Sequence, residues 1–475
     1  MSLWPYSTFL LLFLLLTSSN GAFGNNAVNE LILQLKRLQR TQQSNSQSCY
    51  SQKSRSENGA IILEMKHKDY CSGSISDMNR KIQKQLVADD IRVRSIQASI
   101  KNIISGKVEA FSQTQIPITS GVKLHSLNYI VTVTLGGRNV TVIVDTGSDL
   151  TWVQCQPCRL CYNQPEPLFN PSVSPNYQSV ACNSAACRSL QSATGNSGLC
   201  GNDLTKCNYV VSYGDGSYTK GELGQDHLVL GNTSVNNFVF GCGRNNKGLF
   251  GLASGLMGLG KSNLSLISQT YGIFGGVFSY CLPSVEAKTS GSLVFGGDTS
   301  TFKNSTPISY TKMVPNPQLF SFYFLNLTGT SIGGVTIQDS AFGKSGIIID
   351  SGTVITRLPP TIYKAVKAEF LKQFSGYPLT QGFSILDTCF NLSAYEEVNI
   401  PTIKMQFEGG VEMEVDVTGV LYFVESDASQ VCLALASLQY DDEIGIIGNY
   451  QQKNTRVIYD IKQSRVGFAK ETCNF

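Results

Sequence analysis

Val142-Ile143-Val144-Asp145-Thr146-Gly147-Ser148 returns, altered, 205 residues later as Ile347-Ile348-Ile349-Asp350-Ser351-Gly352-Thr353. Each copy is three aliphatic residues, then Asp, a small hydroxyl residue, Gly and a second hydroxyl residue. Three aliphatic residues in a row read as a strand buried on both faces. Such a strand drives its aspartate into the interior, where a lone ionised carboxylate would cost several kcal/mol or more. The glycine permits a tight turn, and the hydroxyls can donate hydrogen bonds that fix a carboxylate. The repeat therefore predicts a duplicated half-barrel whose halves each bring one aspartate to a shared site.

Working outward, the region from Asn128 reads as all-β. Tyr129 to Leu135 and Val140 to Val144 are strand-like runs, with the turn cluster Gly136-Gly137-Arg138-Asn139 between them. The best helix candidate is Thr361 to Phe374, opened by Pro359-Pro360. Gly255-Leu256-Met257-Gly258 in the first half answers Gly445-Ile446-Ile447-Gly448 in the second. At 475 residues the chain can bury two cores.

The two signatures resemble those of pepsin-like aspartic proteases, a likeness that covers most of the chain from Asn128 onward. Asp149-Leu150-Thr151-Trp152 places a tryptophan where that family keeps one. Tyr213-Gly214-Asp215-Gly216-Ser217 resembles its flap hairpin, and Ile446-Ile447-Gly448-Asn449 the apolar-apolar-Gly segment beneath the second aspartate. The cysteine-rich stretch Cys155 to Cys207 is similar to the insertion of the plant nepenthesin-like branch. The chain also resembles the chloroplast nucleoid DNA-binding type of plant aspartic protease. The hairpin at Gly136-Gly137 is shorter than the family's usual link.

The resemblance implies an all-β, bilobal fold with lobes at residues 121–310 and 311–475. It implies catalytic Asp145 and Asp350 sharing one proton, the behaviour for which aspartic protease dyads are the standard example. The ionised member would take a proton from a water that attacks the scissile carbonyl, without metal, cofactor or covalent intermediate. Thr146 and Ser351 would cross-brace the two loops, and Ser148 and Thr353 would hydrogen-bond the carboxylates. Tyr213 would close over substrate with its hydroxyl at the Trp152 indole nitrogen. Ile143 lies two residues before Asp145, so strand alternation turns it toward the same side, and the pocket is expected to prefer large apolar residues.

Met1 to Gly21 carries the run Phe9 to Leu16 followed by small residues, the pattern of a cleaved signal peptide too short to span a bilayer. Residues 22–112 are expected to be a pro-segment. With the signal they hold 14 Lys/Arg against 8 Asp/Glu, while the remainder holds 23 against 26. Within them Thr41 to Asn58 is rich in Ser and Gln, and Ile82 to Ile104 has apolar residues near helical spacing among Lys and Arg. By the resemblance this basic helix lies over an acidic cleft until removed near Gln113 to Gly121.

Fourteen cysteines behind a signal peptide point to disulfides and an oxidising compartment. Cys155-x-x-Cys158-x-x-Cys161 could otherwise ligate zinc or act in redox, but His67, His125 and His227 are too few and scattered to assist. The resemblance suggests Cys155–Cys158, Cys161–Cys242, Cys182–Cys207, Cys187–Cys200, Cys281–Cys473 and Cys389–Cys432. Six glycosylation sequons begin at Asn139, Asn232, Asn263, Asn304, Asn326 and Asn391, of which Asn139 and Asn326 are least suited to a glycan. There is no G-x-S-x-G elbow and no H-E-x-x-H. The expectation is a secreted, monomeric endopeptidase acting on proteins or peptides, with the vacuole or chloroplast as alternatives. The competing readings are an inhibitor-like binding protein on the same fold, which would be expected to lack an aspartate or the flap, and a nucleic-acid binder. The latter is disfavoured because the basic concentration sits in the leader.

Overall fold

The computed structural model describes residues 30–35, 50–67, 78–105, 129–201, 205–213, 217–248, 250–284, 289–297, 301, 306–338, 340–344 and 346–475. The signal peptide, the processing region at 113–121, Cys49, Cys71, His125, the flap tip Gly214-Asp215-Gly216 and Asn304 lie outside the described residues.

The leader is built into the fold. It forms strands β1 (Glu30–Gln34), β2 (Ser54–Glu57) and β3 (Ala60–His67), then helix α1 (Met78–Ser105). All eight residues of β3 are buried. Its sequence Ala-Ile-Ile-Leu-Glu-Met is apolar enough to suit a strand covered on both faces. Besides β2, it pairs antiparallel with two strands of the body, through Leu63 opposite Leu293 and Met65 opposite Val131. The expected leader lay over a cleft; this one also supplies an interior strand of the largest sheet.

The first half comprises β4 (Tyr129–Leu135), β5 (Arg138–Asp145), β6 (Trp152–Gln154), β7 (Cys207–Ser212), β8 (Tyr218–Leu230), β9 (Thr233–Lys247) and β10 (Gly255–Gly258). Then come β11 (Val277–Cys281), β12 (Gly291–Phe295), β13 (Ile347–Ile349), β14 (Thr356–Leu358), helix α2 (Pro360–Gln373), β15 (Gly445–Ile447), β16 (Thr455–Asp460) and β17 (Arg465–Lys470). One continuous sheet runs Ser309–Lys312, β17, β16, β11, β12, β3, β4, β5, β10, β6, β9, β8, β7. It joins the two lobes, and the leader strand sits in the middle of it.

The internal repeat appears in the register. β5 runs parallel to β10, with Val142 opposite Gly255 and Asp145 opposite Gly258. β13 likewise runs parallel to β15, with Ile347 opposite Gly445 and Ile349 opposite Ile447. Each aspartate thus leaves the end of a buried strand supported by a glycine-bounded partner. The short β4–β5 hairpin closes with Gly136 and Gly137 at φ +54° and +76°. Positive φ at both central residues is the type I′ pattern, which only glycine and a few polar residues adopt easily.

Helix α2 starts at Pro360, as Pro at a first helical position favours, and buries Ile362, Tyr363, Val366 and Phe370. Four disulfides differ from the expected pairing. Cys155 bonds Cys242 and Cys158 bonds Cys161, not Cys155–Cys158 and Cys161–Cys242. The cause is strand register: β6 and β9 run side by side, and the Cys155 N–H donates to Gly243 O at 2.8 Å, next to Cys242. Cys182 bonds Cys200 and Cys187 bonds Cys207, the reverse of the expected crossing. Cys200 faces Cys207 across a short hairpin and the Cys182 and Cys187 sulfurs are 4.0 Å apart, so spacing alone could not separate the two solutions. Cys281–Cys473 and Cys389–Cys432 are joined as expected. Asn139, Asn232, Asn263 and Asn391 are exposed, and Asn326 is half-buried.

Candidate active site

Asp145 and Asp350 meet at the junction of the two lobes, and both are buried, at 0% and 1% exposure. Each is held by its own turn. The Gly147 N–H donates to Asp145 Oδ1 at 3.0 Å and the Ser148 hydroxyl to Oδ2 at 2.7 Å. In the second lobe the Gly352 N–H donates to Asp350 Oδ1 at 2.8 Å and the Thr353 hydroxyl to Oδ2 at 2.6 Å.

The two loops also hold each other. The Thr146 N–H donates to Ser351 Oγ at 3.0 Å, and the Ser351 N–H donates to Thr146 Oγ1 at 2.9 Å. The Ser351 hydroxyl itself donates to Val144 O at 3.1 Å. Approach is so close that a Cβ on Gly147 would lie 2.7 Å from Asp350 Oδ1, and one on Gly352 2.2 Å from Asp145 Oδ1. That is why the residue after each hydroxyl must be glycine. Asn449 in turn donates to Ser351 O at 2.9 Å.

The Trp152 Nε1–H donates to the Tyr213 hydroxyl at 2.8 Å, tying the flap's base to β6. Phe250 packs edge-on against both rings. Ile143 belongs to the same apolar cluster, with Trp152 and Tyr213, and not to the main core that takes Val142 and Val144. Strand alternation therefore sorts Ile143 toward the flap side. The structure brings together every residue singled out in the two signatures and at the flap's base.

Arg92 is a further site residue, outside the expected set. From helix α1 its Nη2 lies 2.8 Å from Asp145 Oδ1 and 3.0 Å from Asp350 Oδ2, one guanidinium on both carboxylates. Its Nε–H points at Thr353 Oγ1 at 3.4 Å. One turn earlier, Asp89 accepts the N–H groups of Val354 at 2.6 Å and Ile355 at 3.2 Å, and forms a buried ion pair with Arg357 at 2.9 Å. Further along, the Gln97 side-chain amide pairs with the Ile444 backbone, donating to its O at 2.7 Å and accepting from its N–H at 3.1 Å. Leu86 sinks among Val354, Ile355 and Tyr422, while Val93 and Ile100 pack on Phe324, Ile348 and Ile446. The signal was present: Leu86, Val93 and Ile100 recur at spacing seven, and Asp89 and Arg92 lie on that same inward stripe.

Burial raises the Asp145 carboxyl above its ordinary range, and the nearby Asp350 adds to this against the pull of Arg92. For Asp350 burial also pushes upward, but Arg92 and the donors Thr353 and Gly352 outweigh it and hold the group low. Burial works against the charge on Arg92 as well, yet the two aspartates overcome it and keep the guanidinium firmly protonated. Asp149, buried beside this loop, is pushed up to about 6 by desolvation although it accepts the Ser262 N–H. Cys182, Cys187 and Cys200 gather within 4.8 Å, but all three are in disulfides and offer no thiolate to a metal.

A two-lobed β fold with one braced aspartate from each lobe is the architecture of a pepsin-like aspartic protease. Residues 129–297 match the family described as xylanase inhibitor N-terminal, and 322–470 that described as xylanase inhibitor C-terminal. An aspartyl protease family protein of Arabidopsis thaliana is 45% identical over 393 residues, 81% of each chain. The aspartic proteinase nepenthesin-1 of Nepenthes gracilis is 34% identical over 403 residues, covering 82% of this chain and 88% of its own. Among solved structures, basic 7S globulin from soybean superposes with a TM-score of 0.57 at 22% identity, over 73% of this chain and 94% of its own, a likeness of fold alone. The chain belongs to the pepsin-like aspartic proteases of plants, the group that includes the nepenthesins.

Proposed function

We propose that this protein is a secreted aspartic endopeptidase made with its own leader seated in the catalytic cleft. The observation that carries this reading is the braced pair Asp145 and Asp350, contacted by a single guanidinium from the leader. Two carboxylates so close titrate as a unit and hold one proton between them once the guanidinium leaves. The ionised member then takes a proton from a water held between them, the water attacks the peptide carbonyl, and the protonated member hydrogen-bonds the carbonyl oxygen. Thr146, Ser351, Ser148 and Thr353 keep the pair in place while it works. Tyr213, Trp152 and Ile143 form the apolar side of the cleft, which gains about 25 cal/mol per Å² of apolar substrate surface.

The leader, residues 22–112, acts as a pro-segment. Arg92 sits where water and substrate must enter, and Asp89, Gln97 and the apolar stripe fix the helix around it. Arg92 favours the ionised form of both aspartates, so by linkage its hold weakens as pH falls and protons compete for them. Cleavage near Gln113 to Gly121 then frees the enzyme. The six disulfides among the described residues and the exposed sequons suit an oxidising, secretory route.

An inhibitor-like role is the alternative that the family descriptions invite. Against it stand both aspartates and the Trp152–Tyr213 contact, all intact. A nucleic-acid role for the freed body is disfavoured, because the basic excess lies in the leader and the remainder holds 23 Lys/Arg against 26 Asp/Glu. The deciding experiment is a peptide-library digest by leader-free protein across pH, with and without a statine-type inhibitor. Cuts between large apolar residues such as Phe and Leu, strongest in acid and abolished by the inhibitor, are expected. A sharp demand for Lys or Arg beside the cut, or a rate still climbing from pH 7 to 8, would contradict the reading.

A further inference from the structure

We propose that the cleft wall of the second lobe holds a carboxylate-binding subsite made of Arg357 and the Val354 and Ile355 N–H groups, which recognises an acidic side chain of the substrate close to the scissile bond. In the leader-bound form Asp89 fills it. The proposal rests on the reading of Asp145 and Asp350 as a peptidase pair.

All three donors belong to the body, directly after the catalytic turn that ends at Thr353, whereas the carboxylate they hold comes from the leader. Asp89 Oδ1 accepts from Val354 N at 2.6 Å, and Oδ2 accepts from Ile355 N at 3.2 Å and Arg357 Nη2 at 2.9 Å. Arg357 Nη1 is anchored on Ile355 O at 2.9 Å, so the guanidinium is oriented by its own strand and not by the helix. Both partners are 1% exposed in side-chain terms. When the leader leaves, Arg357 stays, and a guanidinium cannot shed its proton. A buried cation stripped of its counter-charge is costly, so the vacated place favours a new carboxylate.

Position follows from the helix. Asp89 precedes Arg92 by three residues, about 4.5 Å along the axis. Arg92 marks the place of the reacting carbonyl, and an extended substrate advances about 3.3 Å per residue. The subsite is therefore one to two residues from the scissile bond. Its chemistry separates acid from amide. A carboxylate offers acceptors to all three donors, whereas Gln or Asn would turn an NH₂ against the guanidinium or an N–H, and Leu would leave every donor unpaired.

The test uses leader-free enzyme and quenched peptides with one apolar pair at the cut, varying Glu, Gln and Leu at each of the three positions on either side. At one position Glu should exceed Gln about 10-fold or more in kcat/KM at pH 5, as expected for a built polar site. That ratio should shrink toward one at pH 3, where the substrate carboxyl, ordinarily near 4.3, takes a proton. In Arg357→Met the pH 5 ratio should fall to near one, whatever that variant's absolute rate. A wild-type ratio at or below one at every position, or an unchanged ratio in Arg357→Met, would overturn the subsite while leaving the peptidase intact. The wild-type pH comparison decides the matter even if the variant does not fold. Failure to cut the parent peptide at all would overturn both readings together.

Discussion

Replacing Arg92 by Gln in the full-length chain removes the one cation that, among the described residues, contacts both catalytic carboxylates, and leaves a shorter neutral group. The rest of the leader keeps its anchors: β3 in the central sheet, Asp89 on Arg357 and Gln97 on Ile444. Removing one partner of a buried ion pair costs about 3–5 kcal/mol. Here the aspartates can recover part of that by sharing a proton, and Arg92 keeps 19% exposure, so the low end, about 3 kcal/mol, is the better figure. At 1.36 kcal/mol per tenfold this loosens the helix from the cleft by roughly 150-fold.

The assay is binding of a statine-type inhibitor to unprocessed protein at pH 6, read by calorimetry or by displacement of a labelled analogue. Binding avoids any ambiguity from self-processing during a cleavage assay. Wild-type protein should bind weakly because ligand and Arg92 compete for the same carboxylates. Arg92→Gln should bind on the order of 100-fold more tightly. Equal affinity in the two unprocessed proteins would refute the idea that Arg92 is what closes the site, and Arg92→Lys should fall between them.

Two further outcomes follow from the geometry around the dyad. Asp149 has a folded pKa of about 6 against an ordinary 3.8, so its contribution to stability is fully present below 3.8 and lost as pH rises through 6, roughly 3 kcal/mol in all. Stability of wild type relative to Asp149→Asn should therefore improve between pH 7 and pH 4 in denaturant titrations; a flat difference would contradict the burial argument. Thr146→Val keeps the shape but leaves the Ser351 N–H buried without its acceptor, which should cost about 1–3 kcal/mol and slow cleavage as the loops part. An unaltered denaturation midpoint would mean that the crossed bonds carry little.

The dyad could be read from the chain because its chemistry is local: each aspartate, glycine and hydroxyl lies within a few residues of its partners. Duplication then told which two turns belong together, and the Trp152–Tyr213 bond needed only two residue types at known places. Arg92 and Asp89 were harder to see because their partners lie 53 to 268 residues away, across a cleft formed only when both lobes exist. In sequence they are two charges among many on a basic helix. Strand β3 escaped for a related reason: Ala60 to His67 is a short apolar run whose neighbours, Gly291–Phe295 and Tyr129–Leu135, come from distant parts of the chain. The crossed cysteines failed on degeneracy, since four sulfurs in one hairpin and turn admit two nearly equivalent solutions.

The central claim is that Asp145 and Asp350 together hydrolyse peptide bonds. It is tested most directly by Asp350→Asn, compared with wild type after both have been freed of the leader by the same external protease. Asn keeps the shape and its one oxygen can still accept from the Gly352 N–H, with its NH₂ turned toward the Thr353 hydroxyl, but it cannot share or shuttle the proton. With an apolar quenched peptide at pH 4, the wild-type protein should cleave and the folded variant should be slower by at least about 1,000-fold, the loss of about 4 kcal/mol of transition-state stabilisation. Cleavage by folded Asp350→Asn within tenfold of wild type would contradict the account.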